Sequence, residues 1–340
     1  MASKDKASKV GINEIAEALG VSKSTVSRAL NDHPKISKET KQKVLFQAQQ
    51  LGYEPNVPNL ISNKESHAIA LIIPHSKNTF FSEIITSIRE ICDANKYSLF
   101  VCESNYDIGI EKKCIEQIKS LGFQAMIYVA HKDSEKLNDL EYLIKVGFPL
   151  TVVHESHLKN AASTVILDVH QSFYDSIQHL KSSGAKNVAL VVSEKRNSIC
   201  QQVTSLYEPM LESEGLNNVK YDISKSDLES KNVQLIIDNL FSGDNQPDSI
   251  IFNSYDMAFR AWHIINDANS VIQKDVRIMS LNSNSLMLNA KPNITYLQLQ
   301  GVKVGQEVAK LTFKQINKNS KPSTQVFFSR LIIKSSSIRV

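Results

Sequence analysis

The stretch Gly11-Ile-Asn-Glu-Ile-Ala-Glu-Ala-Leu-Gly-Val-Ser-Lys-Ser-Thr-Val-Ser-Arg-Ala-Leu-Asn31 decides how the first part of the chain folds. Ile12, Ile15, Ala16 and Leu19 recur at the spacing of one helix face, and Gly20 supplies the stop. Ser22 is placed to cap a second helix whose inner face is Val26, Ala29 and Leu30, and the segment from Asn31 to Pro34 breaks it. Ser37 opens a third helix with Val44, Ala48 and Leu51 on one side, ended by Gly52 ahead of Pro55. Three short helices, the first two joined by a tight glycine-containing turn, make a small all-α helix-turn-helix domain.

Lys23, Ser24, Ser27 and Arg28 fall opposite the apolar side of the second helix and form a donor-rich edge. Reading a major groove needs such an edge: Arg or Lys meets guanine O6 and N7, and small hydroxyl residues approach phosphates closely. An ordinary solvated helix face presents the same residue types, so these four alone leave both readings open. Charge distribution adds to the first. The chain carries 39 Lys and Arg against 35 Asp and Glu, a net +4, and residues 1–60 hold nine of the former and six of the latter, so +3 sits in the first sixth. A basic head on a near-neutral body suits a polyanion.

At 340 residues the chain has length for about two domains of roughly 150 residues each. Hydrophobic residues at 42% and charged residues at 22% are globular proportions, which excludes a disordered or fibrous chain. No run approaches the roughly 18 apolar residues of a membrane span, and the Lys- and Ser-rich first nine residues have no apolar stretch behind them. Neither a membrane partner nor secretion is expected. Cys92, Cys102, Cys114 and Cys200 form no C-x-x-C pair and lie in apolar segments, so they read as buried thiols of a cytoplasmic protein.

A polar, proline-containing connector ends the first domain near residue 56 and leaves 57–67 as a hinge. From residue 68 to 340, strand and helix alternate. Apolar runs at Ile69–Pro74, Leu99–Cys102 and Met126–Ala130 flank helices at Phe80–Asn95 and Glu111–Leu121. The pattern restarts after Asp168, with helices at Ser172–Ser183, Val203–Ser213, Val233–Phe241 and Met257–Asn266. Its strands are Val188–Val192, one near Tyr221, Ile250–Asn253 and Arg277–Leu281. This is an α/β body of two doubly wound subdomains, each a parallel sheet covered by helices, with any ligand in the cleft beyond the carboxyl ends of the strands.

Catalysis finds no support. No two glycines fall two apart, which removes G-x-G-x-x-G; the pair four apart, Gly301 and Gly305, has Lys303 where G-x-S-x-G needs serine, and neither a P-loop nor H-E-x-x-H occurs. No enzyme activity and no cofactor are expected. His154 and His157 make an H-x-x-H without a third ligand in view, so no metal is expected. Gly301 and Gly305, one helical turn apart, read as a close helix-packing stripe.

The order of these motifs resembles the LacI/GalR family of transcriptional repressors. Carrying the resemblance are Gly11 to Asn31, Ile36-Ser37, Thr40-Lys41, Val44-Leu45 and Leu51-Gly-Tyr-Glu-Pro-Asn56 in the head. In the body they are Ile72-Ile73-Pro74, Asn78-Thr79-Phe80-Phe81, Glu83-Ile84-Ile85, Asp168 and Asp256-Met257. It implies a periplasmic-binding-protein-like body, with an N-subdomain at about 68–166 and 299–322 and a C-subdomain at about 167–297 and 323–340. It further implies a cytoplasmic homodimer that reads a palindromic double-stranded operator. The effector would be a sugar or sugar derivative, and the regulated genes those of carbohydrate use. Two alternatives stay open: a regulator that has lost small-ligand sensing and answers to a protein partner, and a stand-alone small-molecule binding protein. Val326 to Ile333 is followed by no leucine heptads, so no tetramer-forming tail is expected.

Carried over by resemblance, Lys23, Ser24 and Arg28 read bases, while Ser22, Thr25, Asn31, Ser37 and Thr40 touch phosphates. The connector resembles a hinge helix that wedges an apolar side chain, Leu60 or Ile61, into the minor groove. Val57-Pro58-Asn59 replaces the expected Ala-rich stretch there, and a proline in the first helical turn is compatible with such a helix. Phe80, Phe81, Asp168, Gln202, Asp256 and Asn282 are the effector candidates, although Phe80 and Phe81 read equally well as core. Val203 stands where many relatives carry arginine, and the Phe-Asp-Asp landmark reads Leu281-Asn282-Ser283; Lys195 and Arg196 are placed to substitute for the missing charge.

Overall fold

In the computed structural model, residues 11–30, 33, 35–51, 67–77, 79–131, 134, 137–154, 158, 161–192, 197–221, 232–267, 270, 272, 275–284, 291–317 and 321–338 are described. The chain divides into two compact units, residues 1–62 and 63–340.

The first unit contains helices α1 (Ile12–Leu19), α2 (Lys23–Leu30) and α3 (Lys38–Gln50). Each helix is too short to persist alone, and their shared apolar seam holds them together. Ile15, Ala16, Val26, Ala29, Val44 and Ala48 are buried, with Ile12, Leu19, Val21, Leu30, Ile36 and Leu51 packed around them. The chain reverses after α1 at Gly20, whose φ of 62° lies in the left-handed region that a residue with a Cβ avoids. That turn lets the Val21 amide bond the Ala16 carbonyl at 3.1 Å and sends the chain directly into α2.

The second unit is two α/β lobes. The first sheet has strands β1 (Ala68–Ile73), β2 (Ser98–Glu103), β3 (Ala125–Val129), β4 (Leu150–Val153), β5 (Ser163–Asp168) and β11 (Thr324–Phe328), in the order β11-β5-β4-β3-β1-β2. Every pairing in it is parallel. Helices α4 (Thr79–Ala94), α5 (Ile108–Leu121), α6 (Asn138–Lys145) and α11 (Gly301–Ile316) accompany it. The second sheet runs β12-β10-β9-β8-β6-β7. Its strands are β6 (Asn187–Val191), β7 (Asn217–Val219), β8 (Ser249–Phe252), β9 (Arg277–Ser280), β10 (Thr295–Gln298) and β12 (Arg330–Ile332), with helices α7 (His170–Ser182), α8 (Ser198–Glu214), α9 (Val233–Phe241) and α10 (Tyr255–Ile265). Here β12 runs antiparallel to β10 and the other pairings are parallel.

Strands β1, β3 and β4 are near-continuous Ile, Val, Leu and Ala runs because helices cover both sides of a parallel sheet. The α4–α11 packing uses the glycine pair: a Cβ on Gly305 would come within 2.8 Å of the Ile84 carbonyl oxygen, and one on Gly301 within 2.8 Å of the Phe80 carbonyl oxygen. The stripe expected at these positions is therefore a helix contact. One apolar cluster, including Ile84, Ile127, Phe173, Val203 and Leu299, continues from the first lobe into the second.

Two expectations about boundaries change. Residues 324–328 pair with β5 in the first sheet, so the chain re-enters the second lobe only at Arg330 rather than at 323. Half-exposed extended residues on a sheet edge carry no periodicity that names their sheet, and pairing decides it. Helix α8 starts at Ser198, five residues ahead of Val203, because Asn197 accepts hydrogen bonds from the Ile199 and Cys200 amides and so fixes an earlier start.

Candidate nucleic-acid interface and ligand cleft

In the head, Lys23, Ser24 and Arg28 are exposed along α2, on the side away from the buried Val26 and Ala29. Ser22 and Ser37 cap the two following helices: the Ser22 Oγ accepts from the Thr25 amide at 3.1 Å, and the Ser37 Oγ from the Thr40 amide at 3.2 Å. Hydroxyl pairs Ser22–Thr25 and Ser37–Thr40, each at 2.8 Å, tie the same turns. Ser24 also meets Ser22 at 2.8 Å. These residues thus close helix N-termini, where unpaired amides and the helix dipole favour an anion. Asn31, Leu60 and Ile61 lie outside the described residues, as do Lys195, Arg196 and His157.

In the body, the two sheets offer their carboxyl ends to one cleft. Each sheet reverses its winding there, between β1 and β3 in the first lobe and between β6 and β8 in the second. Phe80 enters from α4, Asn197, Ile199 and Cys200 from the first turn of α8, and Asn253 from the end of β8; Leu281 and Asn282 follow β9, and Leu299 follows β10. The space they leave between them is about 30 Å³. Among the described residues no charged side chain lines it. The Asn282 Oδ1 accepts from the Tyr255 amide at 2.9 Å and so closes the start of α10.

The effector candidates separate into three groups. Phe80 and Asn282 line the cavity. Phe81 is 1% exposed and belongs to the core, its ring 5.4 Å from that of His75. Asp168, Gln202 and Asp256 are engaged elsewhere. The Asp256 carboxylate pairs with Arg260 at 3.0 Å along α10. Asp168 Oδ1 accepts from the His170 amide at 2.8 Å, at the crossover between lobes, and its carbonyl accepts from the Ser329 amide at 3.1 Å at a second crossover. Gln202 Nε2 donates to the Leu167 carbonyl at 3.0 Å across the first of these. Val203 is fully buried in the apolar cluster.

Apart from His154, sequence reasoning passed over the polar residues just beyond the first sheet. His75, Ser104, His131 and His154 follow β1, β2, β3 and β4, and all are buried. Glu111 of α5, 1% exposed, accepts from the Tyr128 hydroxyl at 2.8 Å and meets His131 Nε2 at 3.0 Å. Ser134 completes the group, bonding the Tyr128 hydroxyl at 2.8 Å and accepting from the His131 amide at 2.7 Å. Burial and then the Glu111 charge push the Tyr128 phenol well above its usual range. His154, 1% exposed, is pushed down to about 4 by burial alone. Their signal in the sequence is a polar residue immediately after each apolar run. Among the described residues no cluster of three or more His, Cys, Asp or Glu suits a metal ion, and no helix is long and apolar enough to cross a membrane.

Residues 11–56 match the family described as bacterial regulatory proteins, lacI family, and residues 66–335 match the periplasmic binding proteins and sugar binding domain of the LacI family. The chain belongs to the LacI family. It is 24% identical over 330 residues to catabolite control protein A of Priestia megaterium, covering 93% of this chain and 96% of that one. It is 26% identical over 312 residues to the HTH-type transcriptional regulator RegA of Clostridium saccharobutylicum, covering 90% and 92%. The fold matches that of the lac repressor dimer bound to operator and the anti-inducer ONPF, with a TM-score of 0.66 at 17% identity over 97% of this chain and 100% of that one. The chain is accordingly a DNA-binding transcriptional regulator of the LacI family and not an enzyme.

Proposed function

We propose that the chain represses carbohydrate-utilisation genes from the cytoplasm, as a homodimer on a palindromic operator whose occupancy is set by a small sugar-like ligand between the two lobes. The observation that carries this reading is the convergence of both sheets' carboxyl ends on one cleft, joined to a head with Lys23, Ser24 and Arg28 exposed on α2. A single eight-residue α2 reads only a few base pairs, so two heads related by a dyad supply the selectivity an operator needs. Dimerisation is supported by the edge of the first sheet, where Phe100 of β2 is 52% exposed and Leu121 of α5 is 67% exposed. Similarity to a catabolite control protein and to a lac repressor bound to operator points the same way.

The cavity of about 30 Å³ favours a second reading, in which the lobes answer to a protein partner instead of a small ligand. Drug-sized ligands fill roughly 300 to 1,000 Å³, so a sugar enters only if the lobes part. Selection of bound fragments from random duplex DNA with the purified full chain tests the shared claim. The expected result is one palindromic motif; binding without sequence preference would remove the operator-reading role. Thermal shift against neutral sugars and sugar phosphates then separates the two readings, since a ligand at 100 times its Kd adds about 2.7 kcal/mol.

A further inference from the structure

The turn after β2 places a tyrosine against the other lobe. Asn105 and Tyr106 both adopt positive φ, 49° and 62°, a conformation uncommon for residues with a Cβ and doubly so for two in succession. The surrounding structure holds them there: the Tyr106 amide donates to the Ser104 Oγ at 3.3 Å, and Asp107 closes the start of α5 through the Gly109 and Ile110 amides. Strain of this kind persists where neighbouring contacts over-determine it, and it often marks a functional position. Here the result is that Tyr106 is 8% exposed, its ring edge-on to His75 at 5.9 Å and to His131 at 5.6 Å. Its hydroxyl accepts from Asn197 Nδ2 at 3.1 Å.

Asn197 has a double task. Its Oδ1 caps α8, and its Nδ2 reaches the opposite lobe. It also lines the cavity. One residue therefore joins the start of the cleft-lining helix, the cleft and the first lobe, and any ligand that displaces Asn197 acts on the lobe contact directly.

We propose that the Tyr106–Asn197 hydrogen bond is the latch that holds the two lobes closed, with Tyr106 as a positioning residue that sets how far the ligand cleft opens. The proposal rests on the reading of the cleft as the regulatory site and adds the element that controls it. The latch acts on lobe separation and not on the DNA-reading edge, so lobe distance and operator binding report on different claims.

The test is pulsed electron spin resonance on the full chain, with spin labels at exposed Lys113 of α5 in the first lobe and exposed Glu212 of α8 in the second. Tyr106→Phe keeps the ring and loses the hydroxyl. Asn197→Ser keeps an N-cap oxygen and loses the reach across the cleft, whereas Asn197→Asp keeps both the cap and an acceptor for the tyrosine hydroxyl. One lost hydrogen bond shifts an equilibrium by about three- to tenfold, so Tyr106→Phe and Asn197→Ser should each move the open-to-closed ratio by that factor. The double variant should go no further than either single one, and Asn197→Asp should stay closed. Unchanged distance distributions in both single variants, or a wild-type chain already open, would overturn the latch. Loss of operator binding with an intact distance shift would instead count against the proposed function alone.

Discussion

The Gln202 side chain brackets the first crossover between the lobes: its Nε2 donates to the Leu167 carbonyl at 3.0 Å while its Oε1 lies 3.5 Å from the Val169 amide. A carboxamide in this place imitates a strand neighbour for two peptide groups at the end of β5. Replacing it by leucine leaves those groups without their partner. Gln202→Leu should lower the body's unfolding free energy by about 1 to 3 kcal/mol, read by urea denaturation. An unchanged midpoint would mean that the Gln202 side chain does not hold this crossover.

The glycine stripe between α4 and α11 gives a second expectation. A methyl group at Gly305 has nowhere to go, because the nearest atoms are the Ile84 carbonyl oxygen at 2.8 Å, the Ser87 Cβ at 2.9 Å and the Ile84 Cα at 3.0 Å. These are backbone and Cβ atoms, so the helices must separate. Gly305→Ala is expected to cost about 1 to 3 kcal/mol in the same measurement. Gly243, whose Cβ would meet no atom within 4 Å, is the control: Gly243→Ala should leave the midpoint nearly unmoved.

His154 gives a pH dependence. Burial holds its folded-state value at about 4, below the ordinary value of 6.5, so the folded protein keeps it neutral while the unfolded chain protonates it first. Its contribution is fully present above about pH 6.5 and is lost as pH falls toward 4, up to about 3 kcal/mol in all. His179, also lowered by burial, adds a slope of the same sign. His154→Asn, which tolerates the positive φ of 77° at that position, should flatten the pH 4 to 6.5 stability profile relative to wild type. Parallel profiles for the two proteins would mean that His154 does not titrate between the states.

Ser22 and Ser37 serve structure and interface together. Removing either cap oxygen should destabilise the head by about 0.5 to 2 kcal/mol, seen as faster amide exchange in α2 or α3 of the full chain. Ser22→Ala is expected to weaken binding to all duplexes alike, since a helix N-terminus positions phosphates and reads no base. A change confined to one operator sequence would assign Ser22 to base reading.

The head was legible because its helices are amphipathic and punctuated. Gly20, Ser22 and Ser37 each close a turn by a purely local rule, and the observed caps follow directly. The alternating strands were equally plain, since a parallel sheet covered on both faces needs continuous apolar runs. The cleft was harder for a physical reason. Asp168, Gln202 and Asp256 are polar residues near strand ends or helix starts, and each has a backbone amide, a carbonyl or an arginine as partner, a pairing that only the three-dimensional structure shows. Tyr106 and Asn197 lie 91 positions apart, so no local pattern could join them. Asn197 in particular stayed hidden because α8 starts earlier than its apolar periodicity indicates.

The central claim is that the head on this body reads a defined DNA sequence. Titration of the full chain against its selected motif and against a scrambled duplex, repeated across salt concentrations for wild type and Arg28→Ala, tests it most directly. Affinity for both duplexes should fall steeply with salt, wild type should prefer the motif by about 10³-fold or more, and Arg28→Ala should cost about 1 to 3 kcal/mol on the motif alone. Equal affinity of wild type for the two duplexes at every salt concentration would contradict it.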